Sequence, residues 1–162
     1  MNLNEDYSDM LRAFSDEKVD YLLIGAHALA AHGIPRVTSD MDFWISPTPE
    51  NARAVYRALD QFDAPVAGLF PEDFEEAGIV YQIGLPPFRI DVVTPVAGLD
   101  FDGPSSRAVK VNYAGFTVRV PCLDDLITIK KATGRLKDLA DAEVLEARAQ
   151  AIVGLSERAH NS

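Results

Sequence analysis

Residues 23–45, LIGAHALAAHGIPRVTSDMDFWI, run from an apolar strand-like segment through a glycine and a helix-forming segment into a second strand-like run that holds two aspartates. The β-prone residues 19–24 (VDYLLI) break at Gly25. AHALAAH then has strong helix propensity up to Gly33, with Pro35 as a stop signal. A strand-to-helix switch is therefore expected at Gly25. DMDFWI at 40–45 alternates and is rich in large apolar groups, which predicts a second strand. Alternate side chains of a strand share a face, so Asp40 and Asp42 project together while Met41 and Phe43 face the other way. A carboxylate in such a setting costs free energy unless something positive holds it.

Outward from this stretch the pattern continues as sheet and helix. Thr48 is a good N-cap and Pro49 a good first residue for a helix over 50–62, with Ala54, Val55, Ala58, Leu59 and Phe62 on one face. Residues 7–14 read as a short amphipathic helix and 71–77 as another short helix. IVYQIGL (79–85) and FRIDVVT (88–94) read as antiparallel neighbours joined by Pro86 and Pro87, and 109–113 with 116–120 as a hairpin around Ala114 and Gly115. Residues 123–133 and 137–156 are expected to be helical, separated by Gly134. The order predicts an α/β (α+β) fold, a mixed β-sheet flanked by helices with a C-terminal helical pair. The expected division is an α/β core over 1–122 and a helical segment over 123–162 packed on it as one structural unit.

The bulk numbers suit one domain: 162 residues, 48% of them apolar. No run of about eighteen apolar residues exists, and MNLNEDYSDM is acidic where a signal peptide would be basic and then apolar, so a cytoplasmic protein without a membrane partner is expected. The single cysteine, Cys122, excludes an internal disulfide and a cysteine-based zinc cluster, and reads as a small buried or capping side chain. A net charge of −10 argues against a large nonspecific nucleic-acid surface. Residues 1–106 hold 18 acidic and 6 basic side chains, residues 107–137 hold 2 and 7. That asymmetry suits carboxylates that hold cations and basic groups that meet a polyanion, though two differently charged solvent faces explain it equally well.

A third carboxylate, Asp91, sits mid-strand in FRIDVVT, flanked by Ile90 and Val92. Three strand aspartates in apolar sequence would repel one another without a cation. Hard oxygen ligands in this number favour magnesium or manganese, which keep waters and add substrate phosphates. At Gly25 the start of the helix exposes backbone N–H groups, and the missing side chain lets a phosphate approach.

With Ile24, Gly25 and Ala26, then Asp40 to Phe43, then Ile90 to Val92, the chain resembles the nucleotidyltransferase superfamily of the DNA polymerase β type. More narrowly, GAHALAAHG, PRVTSDMDFWI and DLITIKKATGRLKDLADAEVL resemble small prokaryotic nucleotidyltransferases related to AbiEii-type toxins and to minimal nucleotidyltransferases, in patches over residues 21–145. The resemblance implies transfer of a nucleoside monophosphate from a nucleoside triphosphate (NTP) to a hydroxyl, with two Mg2+ or Mn2+ ions and release of pyrophosphate. Asp40, Asp42 and Asp91 are then the catalytic and metal-binding residues, and Asp91 is also placed to take the proton. The acceptor, a tRNA, a protein hydroxyl or a small molecule, is not legible; a cognate toxin or antitoxin is a further implied partner. Where the superfamily has Gly-Gly or Gly-Ser, this chain has Ala26, which keeps the backbone N–H groups and loses a hydroxyl. The competing class is a non-catalytic binding module of the same fold, and a third alternative is an unrelated fold with Asp40 and Asp42 in an exposed loop.

Basic residues complete the expected site. The stripe Leu123, Leu126, Ile127 leads to Lys130, which the resemblance directs, with Arg135, toward the triphosphate; the alternatives are a snorkelling lysine and a helix C-terminal charge. Arg36 is directed to a phosphate or to a carboxylate such as Asp42. Asp138 and Asp141 read as structural. His27 and His32, five apart, read as hydrogen-bonded, partly buried side chains, and Trp44 as core or as a base-stacking ring on the face of Asp42.

Overall fold

The structure, a computed structural model, describes residues 3–34, 40–133, 146–147 and 150–151. The chain divides into two compact units, Met1–Val120 and Pro121–Ser162. In the first, helix α1 (Glu5–Asp16) leads to strand β1 (Tyr21–Ile24), α2 (Gly25–Ala31), β2 (Asp40–Ile45), α3 (Pro49–Phe62), a 3-10 helix (Pro71–Glu75), β3 (Val80–Ile83) and β4 (Arg89–Val93). A short α4 (Asp102–Ser106) and the hairpin β5 (Val109–Tyr113) and β6 (Phe116–Val120) complete it. The second unit begins with α5 (Leu123–Thr133).

The first four strands form one mixed sheet in the order β1-β2-β4-β3. β2 runs antiparallel to β1 and parallel to β4, and β3 pairs antiparallel with β4. DMDFWI is thus an inner strand, which removes the alternative of an unrelated fold with its aspartates in an exposed loop.

Alternation along β2 sorts its side chains. Met41 and Phe43 are fully buried, and the Phe43 ring lies 4.6 Å from Phe14 of α1. On the other face Trp44 is covered by Phe101 at 5.2 Å, so burial rather than base stacking accounts for it. Asp42 and Asp40 share that face one and two steps nearer the strand's start, where they are half-buried. The lower layer is completed by α3, which lays Ala54, Val55, Ala58 and Leu59 against the core and is tied to the end of α1 by Arg57–Glu17 and Gln61–Asp16 contacts of 2.9 and 3.0 Å. Thr48 caps α3 as expected, accepting from the Asn51 N–H.

Asn51, in the first turn of α3, holds two chain segments together. Its amide donates to the carbonyls of Asp20 and Ser46, each at 2.8 Å, and accepts from the Asp20 N–H at 2.7 Å. Those residues flank the paired ends of β1 and β2. Asn51, itself 7% exposed, is the partner that Asn51→Ala would take from the Asp20 N–H and the Ser46 carbonyl, while the Asp20 carbonyl keeps the Ser46 N–H at 3.1 Å. A loss of about 2–4 kcal/mol in unfolding free energy by urea titration is expected.

Several boundaries differ from the sequence expectation for physical reasons. β1 starts at Tyr21 because the preceding residues turn, with Lys18 at positive φ. The helix expected over 71–77 is a 3-10 turn over Pro71–Glu75. DGPSS, which contains two helix breakers, is helical because the Asp100 carboxylate accepts from the Asp102 and Gly103 N–H groups, and Pro104 needs no such partner. On α5 the buried residues are Leu126, Ile129 and Lys130, with Leu123 and Ile127 only half-buried. The second expected C-terminal helix, over 137–156, falls almost wholly outside the described residues.

Candidate active site

The register of the sheet brings the acids together. Asp42 lies directly beside Asp91 across the parallel pair β2 and β4, and on its other side beside Ile24, the residue before Gly25. Adjacent strands are about 4.8 Å apart, so both carboxylates rise from neighbouring positions on one face. Asp40 is level with Arg89, two residues before Asp91 on the same face. Three acids and one arginine thus form a two-by-two block.

Arg89 joins this block by two ion pairs. Its Nη2 lies 2.9 Å from Asp40 Oδ2 and its Nε 3.1 Å from Asp91 Oδ1. A guanidinium fork suits such bridging, because its donors diverge in one plane. The Asp91 carboxyl is raised above the usual carboxylate range, chiefly by burial. Arg89 pulls it back down, Asp40 pushes it further up, and hydrogen bonding with Asp42 lowers it. The acids are close enough to sense one another strongly.

Gly25 completes the arrangement through its lack of a side chain. Its φ is +71°, and a Cβ there would overlap Asp42 Oδ2 and stand 3.2 Å from Asp42 Cγ. The strand-to-helix turn at Gly25 and the carboxylate of β2 are thus in direct contact. Ile24 offers no side-chain cap to α2, and Ala26 is half-buried beside it.

Two aromatic side chains back the block. Tyr7 of α1 is buried, its hydroxyl 3.5 Å from the Arg89 carbonyl oxygen, and its phenol is pushed up to about 12 by burial and then by the three aspartates. His27 of α2 is 2% exposed, packs edge-on to Tyr7 at 5.3 Å, and places Nδ1 2.6 Å from the Tyr113 hydroxyl. It is therefore a core histidine, as its spacing from His32 suggests. Burial lowers its imidazole from 6.5 to about 4, against a smaller opposing pull from Asp40. Between those values the unfolded chain takes up a proton that folded His27 refuses, so stability falls as pH falls across that window and levels off below it. Roughly 2 kcal/mol of unfolding free energy should be lost between pH 7 and 5. His27→Phe should remove that part of the slope in melts at the two pH values.

Of the remaining predicted residues, Lys130 is buried on α5 in the second unit, whereas Arg36 and Arg135 lie outside the described residues, as do Thr38, Ser39, Asp138 and Asp141. Cys122 sits just before α5, half-buried, its thiol donating to Asp125 Oδ2 at 3.2 Å and also hydrogen-bonded with the Asp125 backbone. The sequence reading missed Arg89 and Tyr7. Alternation put Arg89 on the face of Asp91, a signal that was available; nothing local marks Tyr7.

The donor set fits a divalent cation. Three carboxylates on one sheet face are hard oxygen ligands, and the glycine keeps the approach to Asp42 clear of a side chain. Among the described residues, however, no three acidic, imidazole or thiol groups already close around one point. Arg89 occupies the position between Asp40 and Asp91 instead.

No protein-family model and no curated protein matches the sequence significantly. Solved structures do match. The Thermotoga maritima protein TM1012, assigned as a nucleotidyltransferase, superposes with a TM-score of 0.54 at 14% identity, over 90% of this chain and 91% of that one. The antibiotic-resistance factor ANT(2'')-Ia in solution gives 0.54 at 13% identity, over 96% and 95%. Its crystal structure with adenylyl-2''-tobramycin gives 0.52 at 13%, over 96% and 97%. This chain has the mixed α/β fold of these nucleotidyltransferases.

Proposed function

We propose that the chain is a metal-dependent nucleotidyltransferase, moving a nucleoside monophosphate from an NTP to an acceptor hydroxyl. One observation carries this: Asp42 is level with Asp91 across the parallel strands and in contact with Gly25 at the strand-to-helix turn. Asp40, Asp42 and Asp91 would hold one or two divalent ions, which when bound lower the pKa of the attacking hydroxyl and neutralise phosphate charge. The acceptor oxygen forms a bond to the α-phosphorus as the bond to the bridging oxygen of the β-phosphate breaks. Pyrophosphate leaves with that electron pair. Asp91, raised by burial, accepts the hydroxyl proton. Gly25 and Ala26 leave backbone N–H groups for the phosphates, with no side chain above Asp42.

ANT(2'')-Ia was crystallised in complex with adenylyl-2''-tobramycin, and a small-molecule hydroxyl is one acceptor class this reading accommodates, beside RNA and protein hydroxyls. Arg36, Lys130 and Arg135 enter as proposed triphosphate contacts, tested by the NTP KM of their alanine variants. Membership of a toxin–antitoxin pair, with a cognate protein partner, rests on the resemblance alone and is tested by co-purification. A second reading, a non-catalytic module of the same fold, draws support from Arg89, which already neutralises Asp40 and Asp91.

Incubation with α-phosphate-labelled NTPs, Mg2+ or Mn2+ and a cell extract separates the two. Label on a discrete acceptor, absent with Asp42→Ala, supports the enzyme. Wild type and Asp42→Ala behaving alike with every NTP and both metals supports the module.

A further inference from the structure

We infer that Arg89 is the resident counter-cation of the site, a positioning residue whose guanidinium a divalent ion must displace to reach Asp40 and Asp91. The inference rests on the metal-dependent reading above and concerns its regulation: how readily the site loads. Arg89 spends two of its donors on two different carboxylates, at 2.9 and 3.1 Å, from the strand position level with Asp40 and two before Asp91. Its side chain is only 28% exposed, and that of Asp91 12%, so the pairs are partly shielded from water and from salt.

The need for such a group follows from the sheet. Register alone forces Asp40, Asp42 and Asp91 onto one face, and like charges in a partly desolvated cluster destabilise the chain that carries them. A cation on the same face offsets this in the absence of metal. Arginine suits the task because its charge persists at every physiological pH and its fork spans two acceptors. The same cation opposes a second one. A divalent ion bound to Asp40 and Asp91 would stand within a few ångströms of the guanidinium and compete with it for both carboxylates. Arg89 therefore stabilises the metal-free chain and weakens metal binding, through the same two contacts.

The experiment is a Mn2+ titration of the full chain by calorimetry and by water-proton relaxation, for wild type, Arg89→Gln, Arg89→Lys and Asp42→Asn. Arg89→Gln should bind Mn2+ at least about tenfold more tightly than wild type, a difference of about 1.4 kcal/mol, and melt at a lower temperature without metal. Arg89→Lys, which keeps the charge and loses the fork, should fall between the two. Asp42→Asn should bind weakly or not at all. A purely structural Arg89 would lower the melting temperature of Arg89→Gln without tightening Mn2+ binding. Unchanged or weaker binding by Arg89→Gln, with Asp42-dependent binding by wild type, overturns the role of Arg89 and leaves the metal reading standing. Absence of Mn2+ binding by wild type and Arg89→Gln alike removes both. If Arg89→Gln does not fold, a Mg2+ titration of wild type decides the matter, with Arg89→Lys used only to assign the signal: the arginine Nε–H resonance missing from Arg89→Lys should shift and exchange faster with water as Mg2+ saturates the wild-type site. A resonance indifferent to Mg2+ overturns the proposal.

Discussion

Asp42→Asn is expected to lower nucleotide transfer at least about a thousandfold, while the folded chain becomes slightly more stable. The loss corresponds to about 4 kcal/mol of transition-state stabilisation, within what a metal-supporting carboxylate supplies. Asp42 is the one acid that meets both other parts of the block: it is level with Asp91 and in contact with Gly25. Asparagine keeps the shape and removes the charge. In the metal-free chain it also removes a like charge from beside Asp40 and Asp91 while its amide keeps a hydrogen-bonding group beside Asp91, so a melting temperature equal to or a few degrees above wild type is expected. The opposed signs are diagnostic. A structural carboxylate, replaced by an amide, would cost stability; a functional one held against its neighbours releases it. Single-turnover transfer and thermal unfolding of the same preparation measure both.

Gly25→Ala should damage stability and activity together. The positive φ disfavours any Cβ, and the one added here would push directly on Asp42 Oδ2. A loss of about 1–3 kcal/mol in unfolding free energy is expected from backbone strain and repacking, with a fall of about a hundredfold in kcat/KM as Asp42 is displaced. Gly115→Ala is the matched control. Gly115 has φ +91° in the turn between β5 and β6, and a Cβ there meets nothing within 4 Å. It should share the backbone cost and leave transfer unchanged. If Gly25→Ala retains full activity, Asp42 is not held in its working position by the glycine turn.

Much of the sheet was legible because its strands carry plain alternation. DMDFWI, RIDVV and the turn at Gly25 follow from apolar pattern and breakers, and so does the hairpin around Ala114 and Gly115. What sequence pattern does not contain is register. That Asp40 falls level with Arg89 and Asp42 with Asp91 is a tertiary fact, set by how a parallel pair aligns after a crossover of some forty residues. The role of Arg89 was invisible for that reason, although its place two residues before Asp91 put it on the right face. Tyr7 and Tyr113 reach the back of the block from sites 82 residues before Arg89 and 86 after His27, separations at which no periodicity argument operates. Asn51 looked like an ordinary first-turn residue because its partners lie across the ends of β1 and β2. Of the expected stripe on α5, Leu123, Leu126, Ile127 and then Lys130, burial keeps Leu126 and Lys130 and puts Ile129 in place of Leu123 and Ile127; both sets satisfy helical spacing, and only packing chooses between them.

The most direct measurement is a crystal of the wild-type chain grown with a non-hydrolysable NTP analogue and Mn2+, examined by anomalous scattering. The expected result is manganese bound by Asp42 and Asp91 with Asp40, and phosphate oxygens against the Gly25 turn. Manganese bound elsewhere, or an analogue whose phosphates avoid Gly25, would contradict the assignment of this carboxylate block to nucleotide transfer.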